Sequence, residues 1–398
     1  MARFSLWYLI VAILALPLFA GIIPFIDRSF LNIFSSLTSL LLIAYIFRYH
    51  LFDYKSLLIL FSIFLILFIQ YSKTALEYGV SNGMATYMRY FLYFLLAYGI
   101  SRRGFSRKEF EKILILSIII SLISISIGIL GSRYIWTNAY LRLMGASHSP
   151  AALALQLSIN LVLIAGYFSI IREKSNILNI KDYFIIFSGI IIFYAMLDTG
   201  SRQPLLGIIS MLLFILFVYK TKYFFALATA AGLYVFLAFD LSFLLDNRLI
   251  FTTVRILSVD INEFSDVRDG SILSRINYFV VGFNHVLENN FYFGEGLNAF
   301  PTIYYQNTGI PRVAPHNDFL LIFVEFGFVG LMIFLILFAF YFIKCLKRKQ
   351  YFTLSVLVFW LAGLSLNNSL YYHSVFILFL IILLMENKLN QSKRANAI

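Results

Sequence analysis

The stretch DFLLIFVEFGFVGLMIFLILFAFYFI, residues 318–343, decides which class of fold this chain adopts. Only Asp318 and Glu325 within it carry a charge at neutral pH. A helix needs roughly 20 residues to cross the hydrocarbon core of a bilayer, which is about 30 Å thick, and this stretch is longer than that. A soluble protein could also bury such a helix, so the composition of the whole chain decides between the two settings.

The composition is that of an integral membrane protein. The chain has 398 residues, of which 61% are hydrophobic and 13% are charged, and its mean hydropathy is +0.87. An ordinary globular domain contains about 25% charged residues. Apolar runs extend along nearly the whole chain, so we predict a single integral membrane domain over residues 1–398 with no separate soluble domain.

The apolar runs predict an all-α polytopic fold with about twelve transmembrane helices. The first run is too long, and too poorly followed by small residues, to be a cleaved signal peptide. The single cysteine, Cys345, excludes a disulfide within the chain and a cysteine metal cluster. The runs cover residues 6–26, 30–47, 57–71, 84–100, 113–130, 151–171, 183–198, 204–219, 223–245, 318–343, 352–368 and 371–386.

The basic residues predict the orientation of these helices. The formal charge of +12 could indicate nucleic acid binding, but in a membrane protein a basic excess is first a signal of orientation, and we expect no nucleic acid partner. With a cytoplasmic N-terminus, the cytoplasmic side holds 20 Lys and Arg residues against 10 on the outer side. We therefore predict a cytoplasmic-membrane protein with both termini in the cytoplasm. Nine of the ten outer cations are Arg, whose planar guanidinium suits phosphate and carboxylate groups.

Residues 246–315 form one long outer connection within the membrane domain, and loops of this length in compact proteins are usually functional. A helix-like piece runs from 274 to 288. Apolar residues at helical spacing over 271–285 predict an amphipathic helix that lies on the outer surface with Arg275 in its first turns. The Gly294-Glu295-Gly296 step predicts a tight turn. Contact between Arg275 and lipid headgroups is the structural alternative to a functional role.

Arg202 stands in the stretch LDTGSRQPLLG, residues 197–207, a short turn between two predicted spans on the outer side. One interpretation is an arginine that ends a helix and reaches toward the headgroups. The other is a functional group, because ionisable side chains at a membrane surface are candidates for a site and Asp198 flanks the same turn.

His316 precedes the long apolar run 318–343. Pro315 disfavours a helical conformation for the residue before it, so the helix starts just after His316, where Asn317 or Asp318 can cap the first free N–H groups. Capping accounts for Asn317 and Asp318 but not for His316, whose ordinary pKa lies near neutral. A buried structural histidine is the alternative. Further along, Gly327 and Gly330 predict close approach of a neighbouring helix.

These stretches, in this order, resemble the O-antigen ligase and O-antigen polymerase superfamily over about residues 130–335. The residues that carry the resemblance are Thr199-Gly200-Ser201-Arg202, Gly270-Ser271 to Ser274-Arg275, Phe293-Gly294-Glu295-Gly296-Leu297, His316-Asn317 and Glu325-Phe326-Gly327-Phe328-Val329-Gly330-Leu331, with Arg142-Leu143-Met144-Gly145 before Pro150. The first four predicted spans match the family only in being spans.

The resemblance implies a metal-independent, inverting glycosyltransferase with a GT-C-like membrane fold and no cofactor. The donor is then a glycan on undecaprenyl diphosphate, and the acceptor is another sugar on the outer face, on a lipid-linked repeat or on the lipid A core. Arg202 and Arg275 would hold the diphosphate, and His316 would orient or deprotonate the acceptor hydroxyl. The other implied partners are membrane lipid and a chain-length regulator. The implied substrate-binding residues are Arg142, Ser201, Ser271, Tyr278 and Asn317.

Polymerase and ligase share these features, and we expect a repeat-unit polymerase because the outer loop carries the full Gly-Glu-Gly-Leu form. The first alternative is an O-antigen ligase that transfers the glycan to lipid A core. The second alternative is a flippase or another transporter of lipid-linked glycans. Such a protein should have charged groups deep in several spans, and it would not need a 70-residue outer loop. A purely structural membrane scaffold leaves His316 and the arginine positions unexplained.

Overall fold

The computed structural model describes residues 54–79, 83–103, 107–137, 140–145, 149–171, 178–219, 270–311, 313–363 and 365. The predicted spans 6–26, 30–47, 223–245 and 371–386, both termini, and residues 246–269 of the long outer connection lie outside the described residues. The prediction of about twelve spans and of cytoplasmic termini therefore stays a prediction.

The described part is mostly helical, and its helices start and end close to the predicted boundaries. They are α1 (Tyr54–Tyr78), α2 (Met84–Arg103), α3 (Arg107–Leu130), α4 (Pro150–Gly166, followed by a π-helical turn Tyr167–Ile171), α5 (Ile180–Asp198), α6 (Arg202–Tyr219), α7 (Gly270–Asn289), α8 (Phe300–Thr308), α9 (Asp318–Lys347) and α10 (Tyr351–Ala362). Within these residues, five helical segments are long and apolar enough by length and composition to cross a membrane: Leu58–Tyr78, Arg107–Leu130, Pro150–Ser169, Ile180–Asp198 and Asp318–Lys347, the last of which is interrupted at Gly327.

The predicted all-α class describes most of the chain that the structure covers, but the connection between α3 and α4 contains two strands that the sequence did not predict. Two short strands, β1 (Tyr134–Thr137) and β2 (Tyr140–Leu143), form an antiparallel hairpin there, with Tyr134 opposite Leu143 and Ile135 opposite Arg142. Aromatic and β-branched residues favour strands, and the pairing provides partners for backbone groups in a connection too short for another helix.

The main core lies between α3, α4, α5, α6 and α10. Leu153, Leu157 and Val162 of α4 are fully buried at its centre. α6 and α10 approach closely at glycines: a Cβ on Gly207 would lie 2.8 Å from the carbonyl oxygen of Phe359, and a Cβ on Gly363 would lie 2.7 Å from that of Gln203. Small residues allow such close helix packing in membranes.

α9 is broken in its middle, at Gly327. This residue has φ +67° and ψ −166°, a conformation outside the helical region that glycine adopts most easily. The ring of Phe319, before the break, lies 6.1 Å from the ring of Phe334, after it. In a straight helix these two residues would be about 22 Å apart. The halves 318–326 and 328–347 therefore fold back against each other, and the expectation of one uninterrupted helix over 318–343 is corrected.

The loop that follows α7 replaces the hydrogen bonds lost at this break. In an intact helix, the N–H groups of residues 328 and 329 would donate to the carbonyls of residues 324 and 325. The loop 291–296 supplies a partner for each of these four groups. The bonds are Glu295 N–H to Val324 O (2.7 Å), Gly296 N–H to Glu325 O (3.2 Å), Phe328 N–H to Phe291 O (2.8 Å) and Val329 N–H to Tyr292 O (3.1 Å).

The same loop is tied to α1. Lys73 donates from Nζ to the carbonyl oxygen of Gly294, and Gln70 donates from Nε2 to that of Phe293 at 3.3 Å. Gly294 and Gly296 both have positive φ values, +70° and +92°, so the tight turn predicted for this step is confirmed. The neighbour that approaches Gly327 is thus this loop, where the sequence suggested a helix.

Candidate functional site

His316 lies between the end of the long outer connection and the first residue of α9. Its φ is +50°, a left-handed conformation that few residues other than glycine adopt, so the surrounding structure must hold it. Its imidazole stacks on the ring of Tyr278, with ring centroids 5.9 Å apart and an interplanar angle of 27°. The atom Nδ1 of His316 is buried.

Tyr278 belongs to α7, which confirms the amphipathic helix predicted for this region. Its ring also packs edge-on against Tyr304 of α8, with centroids 5.0 Å apart, and against Phe300 at 6.4 Å. The Tyr304 hydroxyl in turn accepts a hydrogen bond from Asn277 at 3.0 Å. These contacts fix the face of Tyr278 that meets His316.

Arg275 lies three residues before Tyr278 in α7. Residues three apart in a helix share one face, so Arg275 is the next side chain along the face that stacks on His316. Arg275 is partly buried. His316, 41 positions after Arg275 in the chain, therefore stacks on the face of α7 along which Arg275 lies about one turn before Tyr278.

Asn317 is the N-cap of α9. Its Oδ1 accepts hydrogen bonds from the N–H groups of Phe319 at 2.9 Å and Leu320 at 3.1 Å, which confirms that the residue can cap the helix. A direct part for Asn317 in substrate binding stays a prediction, and its side-chain carbonyl already has this structural use.

Arg202 is the first residue of α6 and follows a tight turn after α5. Arg142 of β2 holds that turn: its Nε donates to the carbonyl oxygen of Thr199 at 2.6 Å, and its Nη2 donates to the Ser201 hydroxyl at 3.0 Å. Gly200 has φ +60°, and a Cβ there would lie 3.3 Å from Arg142 Nε. Both Arg142 and Ser201 thus have a structural role beside Arg202.

Tyr134 of β1 fixes the hairpin to the end of α5. Its hydroxyl interacts with the carboxylate of Asp198, the last residue of α5. Burial, followed by the charge of Asp198, raises the pKa of Tyr134 above its ordinary value. Asp198, which the sequence marked as a flanking candidate, is therefore part of the support of the turn.

The helix ends that carry Arg202 and His316 are connected through α10. The ring of Phe319, three residues after His316, lies 5.8 Å from the ring of Trp360. About one turn further along the chain, Gly363, which follows the last residue of α10, packs against the backbone of Gln203, the residue after Arg202. The structure thus places the starts of α6 and α9 at the same end of α10, where the sequence alone gave no contact between them.

Two buried carboxylates at the break in α9 were not predicted as part of the site. Glu325 is fully buried; its Oε2 accepts from the Tyr90 hydroxyl at 3.0 Å and its Oε1 from the N–H of Asn298 at 2.8 Å. Glu295 is 2% exposed and accepts two hydrogen bonds from Asn290 Nδ2. The sequence signal was a glutamate within two residues of a glycine in each of two largely apolar stretches, Gly294-Glu295-Gly296 and Glu325-Phe326-Gly327.

Ser271 lies in the first turn of α7, and its side chain is outside the described residues, so its predicted role is still a prediction. Within the described part of the chain, no group of three His, Cys, Asp or Glu side chains lies together as a set of metal ligands.

Comparison with protein-family models finds a match over the part of the chain that contains most of this site. Residues 187–335 match the family model described as O-Antigen ligase. The resemblance to the O-antigen ligase and polymerase superfamily is thereby confirmed. The matched segment contains Arg202, Arg275, Tyr278 and His316, and it ends within the second half of α9, while Arg142 lies before it. No curated protein and no solved structure matches the chain.

Proposed function

We propose that this protein is a glycosyltransferase of the cytoplasmic membrane. It transfers a glycan from undecaprenyl diphosphate to a sugar hydroxyl at the outer face. The observation that carries the proposal is the stacking of His316 on Tyr278, one helical turn from Arg275, inside the segment that matches the O-antigen ligase model.

In this proposal, Arg202 and Arg275 bind the diphosphate of the donor. Negative charge grows on the diphosphate as the glycosidic bond breaks, so a fixed positive charge stabilises the transition state more than the ground state. Arginine stays protonated at physiological pH and can do this without a metal ion. The transfer is accordingly proposed to be metal-independent and inverting, in a GT-C-like fold.

His316 is proposed to orient or deprotonate the acceptor hydroxyl. A general base is worth typically 10²–10⁴ in rate, and a histidine whose ring is held by stacking is already oriented for this task. Its left-handed backbone supports this assignment, because strained conformations are often found at functional sites.

A groove next to the Arg202 turn fits the lipid part of such a donor. It has a volume of about 370 Å³ and lies between α4, α5 and α6, with an entirely apolar lining that includes Phe168, Phe193, Ile208 and Leu212. Ile208 is six residues along α6 from Arg202, which is about 9 Å. We infer that a polyprenyl chain lies in this groove while its diphosphate is bound near Arg202.

We propose a repeat-unit polymerase as the more specific function, on the strength of the Gly294-Glu295-Gly296-Leu297 turn. The second candidate is a ligase that transfers the glycan to lipid A core, and the description of the matching family model favours it. The two activities differ in the acceptor alone.

The test uses purified full-length protein with a lipid-linked repeat unit as both donor and acceptor, and the products are resolved on a gel. A ladder that the His316→Ala variant does not form is the result expected for a polymerase. Transfer that requires added lipid A core would replace the polymerase by a ligase. Absence of transfer in both reactions would contradict the proposed function and favour transport. A chelator should leave the rate unchanged, and loss of activity that Mg²⁺ restores would contradict the metal-independent mechanism.

A further inference from the structure

Glu295 contacts both elements that carry the proposed site. Its backbone N–H donates to the carbonyl oxygen of Val324, in the half-helix 318–326 that follows His316, at 2.7 Å. Its carboxylate faces α7, where Oε1 lies 3.8 Å from Nε2 of His285. One residue of the loop 291–296 therefore joins α7 to the half-helix.

The Glu295 carboxylate is buried and is held at the end of α7. It is 2% exposed, and both of its oxygens accept from Asn290 Nδ2, at 3.0 and 3.1 Å. Asn290 itself continues α7, because its N–H donates to the carbonyl oxygen of Val286 at 3.1 Å. A carboxylate removed from water needs hydrogen-bond donors and is stabilised further by an opposite charge. Within the part of the chain that the structure describes, the basic side chain within 4.0 Å of Glu295 is that of His285.

His285 meets Glu295 from the side of α7 that also carries Tyr278. The two α7 residues are seven positions apart, which is nearly two full turns of an α-helix, so they project from the same side. Tyr278 stacks on His316, and His285 pairs with Glu295 about 10 Å further along α7. A rotation of α7 about its axis would separate both pairs together.

Apolar packing between α7 and the half-helix is the structural alternative. Phe283 stacks on Phe323 with ring centroids 5.2 Å apart, and a Cβ on Gly282 would lie 3.4 Å from Val324. Such contacts stabilise the pair of helices but are not directional, whereas hydrogen bonds weaken steeply when their geometry changes. Polar contacts are therefore better suited than apolar packing to select one rotation of α7.

We propose that Glu295, Asn290 and His285 are positioning residues for the site. Their contacts fix the rotation of α7 against the half-helix, and this rotation holds the ring of Tyr278 against His316. The positional part of this inference stands on these contacts alone, whereas its effect on glycan transfer rests on the proposed function.

Four variants remove or restore the charge pair. Glu295→Gln keeps the size of the side chain but removes the negative charge, and His285→Gln removes the imidazole. The double variant tests whether the two residues act as one unit, and His285→Lys restores a cation. Because the His285 side chain is 21% exposed, His285→Gln keeps the test valid if Glu295→Gln gives little folded protein. Glu288→Gln is the matched control, since Glu288 is an exposed carboxylate on α7, three residues after His285.

The first measurement needs no enzymatic activity. The rate at which diethyl pyrocarbonate modifies His316 is followed by peptide mass spectrometry on the full chain in detergent, with an added histidine peptide as reference. We expect Glu295→Gln and His285→Gln each to raise this rate by roughly tenfold, because Tyr278 no longer covers the imidazole, and the double variant to match the single ones. His285→Lys and Glu288→Gln should stay near the wild-type rate.

Two results of this measurement would overturn the proposal. A rate that is unchanged in both single variants would assign the rotation of α7 to apolar packing. An increase in the double variant equal to the product of the two single increases would show that Glu295 and His285 act independently.

The second measurement is the steady-state rate of glycan transfer. The single variants should lower kcat by roughly tenfold with little change in KM, and His285→Lys should recover most of kcat, as expected for residues that act by orienting others. A His285→Lys variant as inactive as His285→Gln, beside a fully active Glu295→Gln, would overturn the positioning role and assign His285 to the substrate. If the wild-type protein transfers no glycan, the proposed function fails, while the modification rates still decide whether Glu295 and His285 fix α7.

Discussion

The turn that presents Arg202 and the junction that presents His316 are stabilised in different ways. The turn 199–201 is short and is held by Arg142, whose hydrogen bonds reach Thr199 and Ser201. The junction at His316 depends on a half-helix that folds back at Gly327 and on a loop that replaces its lost hydrogen bonds. A local turn can lose one bond and keep its shape. A junction assembled from distant segments loses its structure cooperatively. Substitutions at the junction should therefore have larger effects than substitutions at the turn.

Gly327→Ala should have the largest effect, because it removes the fold-back itself. An alanine at φ +67° is strained, and its Cβ would overlap backbone atoms of Gly294 and Phe293. We expect little folded protein in the membrane, measured as monodisperse material after extraction. Gly309→Ala is the matched control: Gly309 has φ +74° with open space around it, so the cost should be only about 1–2 kcal/mol. Equal yields for both variants would show that the junction is not a cooperative unit.

His316→Ala should have the next largest effect, confined to activity. The proposed role of His316 as a base predicts a decrease in kcat of about 10²–10⁴ with a normal yield of folded protein. Tyr278→Phe keeps the ring that stacks on His316, so a loss of activity in that variant would assign the Tyr278 hydroxyl to substrate binding. Near-normal glycan chains from His316→Ala would remove the residue from the site.

Arg142→Ala should have a moderate effect, because the turn at Arg202 is local. Two hydrogen bonds from a charged donor are lost, each worth about 1.5–3 kcal/mol. We expect lower thermal stability and a decrease in kcat, without loss of the fold. Arg142→Lys retains the charge but not the two-pronged geometry, so it should recover only part of the activity. Full activity of Arg142→Ala would mean that α6 positions Arg202 unaided.

Tyr134→Phe should have the smallest effect, which should be seen in the pH dependence of thermal stability. Its raised pKa means that the neutral hydroxyl is favoured in the folded state, so its contribution is present below the ordinary pKa of about 10 and is lost as the pH rises beyond it. Tyr134→Phe should therefore show a shallower decrease of Tm above pH 10 than the wild type. Parallel alkaline curves would contradict the raised pKa of Tyr134 in the folded protein.

Local sequence signals predicted much of the fold but not its central junction. Helical periodicity and capping rules gave the boundaries of α7, the cap at Asn317 and the turn at Gly294-Gly296. They missed the β1–β2 hairpin and the fold-back of α9. The break at Gly327 depends on hydrogen bonds between 291–296 and 324–329, and helical periodicity contains no information on pairing across some thirty positions. The role of Arg142 was likewise hidden, because its partners belong to another element.

The half-helix 318–326 fixes the number of residues between His316 and Gly327. Its register is fixed at one end by Gly327 and at the other by the cap before Asp318. One inserted residue between these ends would turn the histidine by about 100° and shift it by about 1.5 Å. The same insertion in the connection 309–314 would lengthen that connection without turning His316. Variation in chain length should therefore be tolerated before His316 and excluded between His316 and Gly327.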